Sequence, residues 1–267
     1  MERQTTAWLI PILLALGAAG ALWYYWVQTN EPAPKPVVPR QPLAEPRPAL
    51  PEPVYPLPVP APRTDARPEL TPLPPLDQSD DYFRLALADI FGASIETMLA
   101  RSGVIERIVA TVDNPPQAQV AERIRPLDRP AGQFAVDGQD DSGEYHINRG
   151  NYARYDGLVD LLTGVDLAQL AEVYRRFYPL FQKSYVDLGY PDGYFNDRLI
   201  EVIDHLLATP DIGDAVMLTR PHVMYEFADP DLEGRSSGQK LLLRIGSEHR
   251  TRIKQTLREF RGIATRL

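Results

Sequence analysis

Cysteine is absent from the 267 residues. That excludes disulfides, thiolate metal sites, a thiol nucleophile and a lipid anchor carried on an N-terminal cysteine. Histidine is scarce: His146, His205, His222 and His249 are scattered, with no pair at i and i+4 and no carboxylate spaced as on a zinc-hydrolase helix. No glycine-rich phosphate loop and no Gly-x-Ser-x-Gly elbow occurs. Basic residues are outnumbered, 28 Lys and Arg against 36 Asp and Glu, for a net charge of −8, which argues against nucleic acid as a partner. The sequence therefore names no cofactor and no reaction. It favours a binding or adaptor module over an enzyme, with a hydrolase-like envelope enzyme as the alternative.

What the chain has in excess is proline, 27 residues in all, with seventeen between Glu31 and Leu76. Charges there sum to zero and no apolar period appears, so residues 31–76 read as an extended linker. At ~3.1 Å per residue in polyproline II it would reach up to roughly 140 Å. Before it, the uncharged run from Ala7 to Val27 is long enough, at ~1.5 Å per residue, for the ~30 Å hydrocarbon core of a bilayer. Trp8 lies near one end and Trp23, Tyr24, Tyr25 and Trp26 at the other, where amphipathic rings sit at headgroup level. A cleaved signal ending at Ala19-Gly20-Ala21 is the competing reading, but the apolar run continues through four aromatic residues beyond it. Gly17 and Ala21 also give a small-xxx-small spacing that suits paired spans; the oligomeric state is otherwise unreadable. The organisation expected is a transmembrane anchor over residues 1–30, a proline-rich linker over 31–76, and a mainly helical globular domain over 77–267 with one or two minor β-hairpins.

The most strongly patterned stretch runs from Asp166 to Pro210. Leu167, Leu170, Tyr174, Phe177, Tyr178, Phe181, Tyr185 and Leu188 recur at three- and four-residue steps, one buried helix face. Asp166 is placed to cap it, and Gly189 and Pro191 to end it. A second helix capped by Asp192 carries Phe195, Leu199, Val202, Ile203 and Leu206, and ends at Thr209-Pro210. Upstream, Asp77 or Ser79 caps a helix ending at Gly92, Ser94 opens another, and Val104 to Val112 supplies a third. Short strands are expected at residues 133–137 and 145–148, then a helix from Asn148 or Asn151 to about Leu162. A hairpin is expected around Arg220-Pro221, pairing residues 215–219 with 222–227. Ser247 should cap a last helix with Ile253, Leu257, Phe260 and Ala264 as its seam.

Several motifs then occur in a fixed order: Asn151-Tyr152-Ala153-Arg154-Tyr155, Tyr185-Val186-Asp187-Leu188-Gly189-Tyr190-Pro191, Ala208-Thr209-Pro210, Tyr225-Glu226-Phe227-Ala228-Asp229-Pro230-Asp231-Leu232-Glu233 and Gly238-Gln239-Lys240-Leu241-Leu242-Leu243-Arg244. With the apolar run and the proline-rich stretch, they resemble a proteobacterial family catalogued as a domain of unknown function, number three-thousand-and-fourteen. The resemblance runs from Leu73 onward and departs at Ile245, where methionine is expected. It implies a single-pass inner-membrane protein with its domain in the periplasm, and no known activity.

Four arrangements bear on a site. Asp229, Asp231, Glu233 and Gly234 occupy the first positions of a calcium-loop pattern, but Lys240 stands where a closing glutamate belongs, so a capped turn is the better reading. His205 with Asp204 and Glu201 imitates an acid/base set on a helix, but the spacing equally gives a solvated face. Tyr152, Tyr155, Tyr190 and Tyr194 near Arg154 suggest a platform for cell-wall glycan, although their helical spacing also suits a core. The charge distribution is uneven: residues 77–234 hold 13 basic and 28 acidic side chains, residues 235–267 nine and two. Arg250, Lys254, Arg258 and Arg261 form one stripe of the last helix, a candidate interaction surface for an envelope partner or for the domain's own acidic body. The inner membrane, through Ala7 to Val27, is the other expected partner.

The anchor can be checked directly. A C-terminal reporter active only outside the cytoplasm should be active, and the protein should partition with membranes. Soluble protein beginning after Ala21 would contradict the anchor, and a cytoplasmically active reporter the orientation.

Overall fold

A computed structural model describes residues 52–57, 72–114, 124–128, 130–139 and 144–267. The run from Ala7 to Val27 and much of the proline-rich stretch lie outside them. Among the described residues no helix is long and apolar enough to cross a membrane.

The fold is mainly helical with a small antiparallel sheet. In chain order it contains α1 (Asp80–Phe91), α2 (Ser94–Met98), α3 (Val104–Asp113), β1 (Val136–Gln139), β2 (Glu144–Ile147), α4 (Gly150–Ala153), α5 (Asp156–Thr163), α6 (Leu167–Asp187), α7 (Phe195–Leu207), β3 (Met217–Thr219), β4 (Glu226–Phe227), α8 (Pro230–Glu233), α9 (Ser237–Arg244) and α10 (Ser247–Ala264).

The aromatic face of α6 is the centre of the larger core. Tyr174, Phe177, Tyr178, Phe181 and Tyr185 are buried along it, and α1, α3, α7 and α10 pack around it. Phe181 stacks on Phe195 of α7 with centroids 5.4 Å apart and planes 5° from parallel, while Phe83 of α1 meets Phe177 edge-on at 5.0 Å. These offset and edge-to-face contacts add to burial because each ring's positive edge meets a negative face. From α3, Val104, Ile105 and Val109 are sealed in completely. Leu188, expected on the inner face, is exposed just past the helix end.

Several helix ends differ from the expectation, each because a distant side chain supplies the cap. Asp166 does cap α6, accepting from the N–H groups of Ala168 and Gln169. Asp192 does not cap α7, however. That helix begins at Phe195, whose N–H donates to Gln182 Oε1 of α6 at 2.9 Å. Asp80, in the first turn of α1, accepts from the N–H groups of Gly103 and Val104 at 2.7 and 2.9 Å and so caps α3. The first turn of α10 is held by Asp214, which accepts from Ser247 N–H at 2.7 Å. Each bond satisfies a donor that helix geometry leaves orphaned.

The two expected hairpins join into one sheet ordered β1-β2-β3-β4. Gly138, Tyr145, Leu218 and Phe227 fall opposite one another across its four strands. A Cβ on Gly138 would lie 2.3 Å from Glu144 O, and its φ is +130°, so this position requires glycine. Tyr145, Ile147, Leu218 and Phe227 form a second cluster with Leu243 of α9, and Tyr152 packs against it. The helix expected from Asn148 or Asn151 is split into α4 and α5. Asn148 Oδ1 accepts from Gly150 N–H at 2.7 Å, whereas Asn151 is buried and pairs both its amide atoms with the backbone of Ala135, as a strand would.

The folded unit starts upstream of Asp77. Leu73 and Leu76 pack on the larger core, and Leu57, within the expected linker, is buried in it. The reason is local chemistry: residues 52–57 find hydrogen-bond partners on α7, described below.

Phe177→Ala should lower unfolding free energy by about 3–5 kcal/mol, as buried aromatic truncations do. Leu199→Ala, at a half-buried position, should cost less. Gly138→Ala should lower the midpoint by straining the β1–β2 pairing. Denaturant titration of each variant would measure all three.

Candidate functional site

The helical layer leaves a cavity of about 220 Å³ beside the face of α6. Its walls include Phe83 and Leu87 of α1, Ile108 of α3, Val173 of α6, Phe260 of α10 and Leu127. Leu127 belongs to a short strap, residues 124–128, tied to the end of α2. Ala100 N–H donates to Pro126 O at 2.8 Å and Asp128 N–H to Met98 O at 2.9 Å. Thr111 of α3 bonds Ile124 O at 2.8 Å and holds the strap's other end.

Only one lining side chain carries a polar atom. Tyr174 points its hydroxyl away to Asn196 Oδ1 at 3.1 Å. Burial, followed by its neighbours Tyr178 and Asp197, pushes the Tyr174 pKa well above the usual phenol value, so the hydroxyl stays neutral. The lining offers carbon and no acid, base or nucleophile. A void without polar partners does not hold ordered water, and engineered apolar cavities of ~150 Å³ take up benzene instead. The chemistry available here is binding of an apolar group.

The four cations read as a surface are placed differently from one another. Arg250 and Lys254 are buried, 2% and 3% exposed. Lys254 Nζ donates to Thr209 O at 2.9 Å and Asp211 Oδ1 at 2.8 Å. Arg250 bonds Ile212 O, and its Nε, without a hydrogen-bond partner, lies 3.7 Å from Asp211 Oδ1. Arg261 grips Asp204 of α7. Arg258 is exposed. The stripe therefore does not form one open surface: three of its members latch α10 to the acidic body of the domain itself. Helical spacing put the cations on a separate face from the apolar seam, but the 208–214 loop folds over that face. The hydrogen bond from Lys254 holds the Asp211 carboxyl below the usual carboxylate range, against a smaller opposing effect of burial.

The tyrosines have separate surroundings, and Tyr190 is 42% exposed. Tyr152 packs with the sheet cluster, its ring against Gly246, where a Cβ would come within 3.0 Å. Arg154 donates to Ala131 O and Gly132 O, each at 2.9 Å, and its guanidinium lies 6.0 Å from the Tyr155 ring centre. Tyr190 stacks on Tyr185 at 4.6 Å and donates to Asp113 Oδ2 at 3.1 Å, and Tyr194 is half-buried where α7 begins. The five residues serve as packing and loop ties rather than one platform.

Asp229 caps α8 by accepting from Asp231 N–H, and Glu233 pairs with Lys240 at 2.7 Å. Among the described residues no group of three His, Asp or Glu is placed to hold a metal ion. The helical acid/base imitation is taken apart: Glu201 pairs with Arg198, Asp204 with Arg261, and His205 Nε2 lies 2.7 Å from Ser236 Oγ.

A family model described as protein of unknown function (DUF3014) matches residues 104–261. That is more than half of the chain, which belongs to this family. The matched span runs from α3 into α10, leaving α1 and α2 outside it. No curated protein and no solved structure matches.

Two measurements test the latch. Lys254→Ala strands Thr209 O and should cost about 1–3 kcal/mol as a buried acceptor left unpaired, whereas Arg258→Ala should change stability by less than about 0.5 kcal/mol. Asp211 has a depressed pKa when folded, so its contribution is present above the unfolded carboxylate pKa and is lost as pH falls through the folded value. The wild type should lose that contribution below about pH 4, and Asp211→Asn should lack that part of the pH dependence.

Proposed function

We propose that this DUF3014-family chain is a single-pass inner-membrane protein that presents a periplasmic helical binding module on a proline-rich spacer. The module's ligand is a hydrocarbon chain or comparably apolar group. The anchor and spacer rest on the run from Ala7 to Val27 and the seventeen prolines that follow Val27 before Asp77. One observation carries the binding role: the cavity of about 220 Å³ has walls of carbon.

Binding is favoured over an envelope hydrolase for a chemical reason. A hydrolytic site needs a proton-transfer group or a nucleophile within hydrogen-bond reach of the substrate. The lining side chains supply only Tyr174, whose hydroxyl is engaged elsewhere. Transfer of an apolar chain out of water contributes about 25 cal/mol per Å² removed, which is enough to drive uptake without any polar contact.

The full chain should bind a fluorescent long-chain alkyl probe saturably. Val173→Phe and Ile108→Phe, which fill the cavity from partly exposed wall positions, should weaken that binding at least tenfold while preserving a cooperative thermal transition. Equal binding by wild type and both folded variants would remove the cavity as the ligand site.

A further inference from the structure

The N-terminal end of α7 holds a segment that lies 141 to 143 residues upstream in the chain. Asp197 presents both carboxylate oxygens to consecutive backbone donors: Val54 N–H at 2.9 Å and Tyr55 N–H at 2.8 Å. The neighbouring Asn196 is 1% exposed and donates through Nδ2 to Tyr55 O at 3.0 Å, while its Oδ1 accepts from Tyr174. Two residues further on, Leu57 enters the core at 8% exposure. The Tyr55 hydroxyl interacts with Arg261, whose pKa is raised first by its hydrogen bond to Asp204 and further by Tyr55. Val54, by contrast, is 72% exposed.

This is how a protein holds an extended peptide. Main-chain groups are satisfied by fixed side chains, and alternate side chains are either buried or left in water. Residues 52–57 form neither helix nor strand, so nothing else orders them. The site also accounts for the sequence it holds. Both oxygens of Asp197 are already used at Val54 and Tyr55, and Pro56 brings no further N–H in need of an acceptor. Asn196 is pre-oriented by Tyr174 and so is fixed before the segment arrives.

We propose that Asn196, Asp197 and the Leu57 pocket form a peptide-binding site that reads a Tyr-Pro-Leu segment in extended form, and that the chain's own residues 52–57 are its resident ligand. The same segment from a second copy fits the site once the resident is displaced. While tethered, the resident competes at an effective concentration in the millimolar range, so the site is closed to outside peptide until it is released. This inference does not rest on the membrane anchor or on the apolar cavity.

The test uses the full chain and a labelled synthetic peptide with the sequence of residues 51–58. Leu57→Asp expels the resident side chain. Val54→Pro removes one donor and leaves Leu57 in place, which provides a second opened chain should the first not fold. Either folded variant should bind the peptide at least tenfold more tightly than the wild type, by fluorescence anisotropy. Adding Asp197→Ala should abolish that gain, and a peptide carrying Leu57→Asp should not bind. A folded Leu57→Asp or Val54→Pro chain that takes up the peptide no better than the wild type would overturn the proposal. So would binding that survives Asp197→Ala.

Discussion

Two cations buried on one helix constrain most of this domain. An ammonium and a guanidinium lose several kcal/mol of hydration each when they leave water, and α10 recovers this only where Thr209 O, Ile212 O and Asp211 surround Lys254 and Arg250. That requirement fixes the 208–214 loop over α10. It also sets the helix's rotation, because Arg252 then reaches Asp160 and Arg261 reaches Asp204. Phe260 on the same helix is a wall of the cavity, and Arg261 flanks the docked segment. The geometry of both sites therefore follows from how α10 is seated.

The cavity is a departure from close packing. Protein interiors hold few voids larger than a water molecule, and a closed void of this size would cost about 5 kcal/mol at ~24 cal/mol per Å³. The surrounding rings explain why it does not collapse. Phe83 meets Phe177 and Phe181 edge to face and Tyr174 lies tilted against Phe181, so the rings on this side of the space hold one another in place. The strap adds only Pro126 and Leu127 from outside.

How far the structure could be read in the sequence depended on the range of the interactions. The face of α6 was legible because five buried rings repeat at helical spacing and need no partner to declare themselves. Ile200, buried at 1% exposure, was missed beside the half-buried Leu199 because one residue's rotation is within the width of an apolar stripe. The caps made by Asp80, Gln182 and Asp214 were not legible, since each acceptor lies 13 to 33 residues from its donor. The joining of the two hairpins was hidden for the same reason: Tyr145 and Leu218 become neighbours only in the folded chain. Contact of Arg250 and Lys254 with the domain's own acidic body was one of the two readings of the stripe; their burial was not legible, because the loop that covers them carries no periodic signal. The cavity left no mark at all, as a leucine beside a void is the same letter as a leucine in contact.

In the membrane-anchored arrangement proposed above, the docking of Val54 on α7 would alter what the proline-rich stretch can do. In that arrangement, with the segment bound, only the residues between Val27 and Val54 would act as a leash, and if extended at ~3.1 Å per residue they would reach about 80 Å. Released, the leash would extend to Leu73 and approach roughly 140 Å. Swept volume grows as the cube of that radius, so the same domain would patrol about five times more space and meet any fixed target correspondingly less often per unit time. Two hydrogen bonds to Asp197 and one leucine would thus separate a short-range encounter regime from a long-range one, with no change in the domain that makes the encounter.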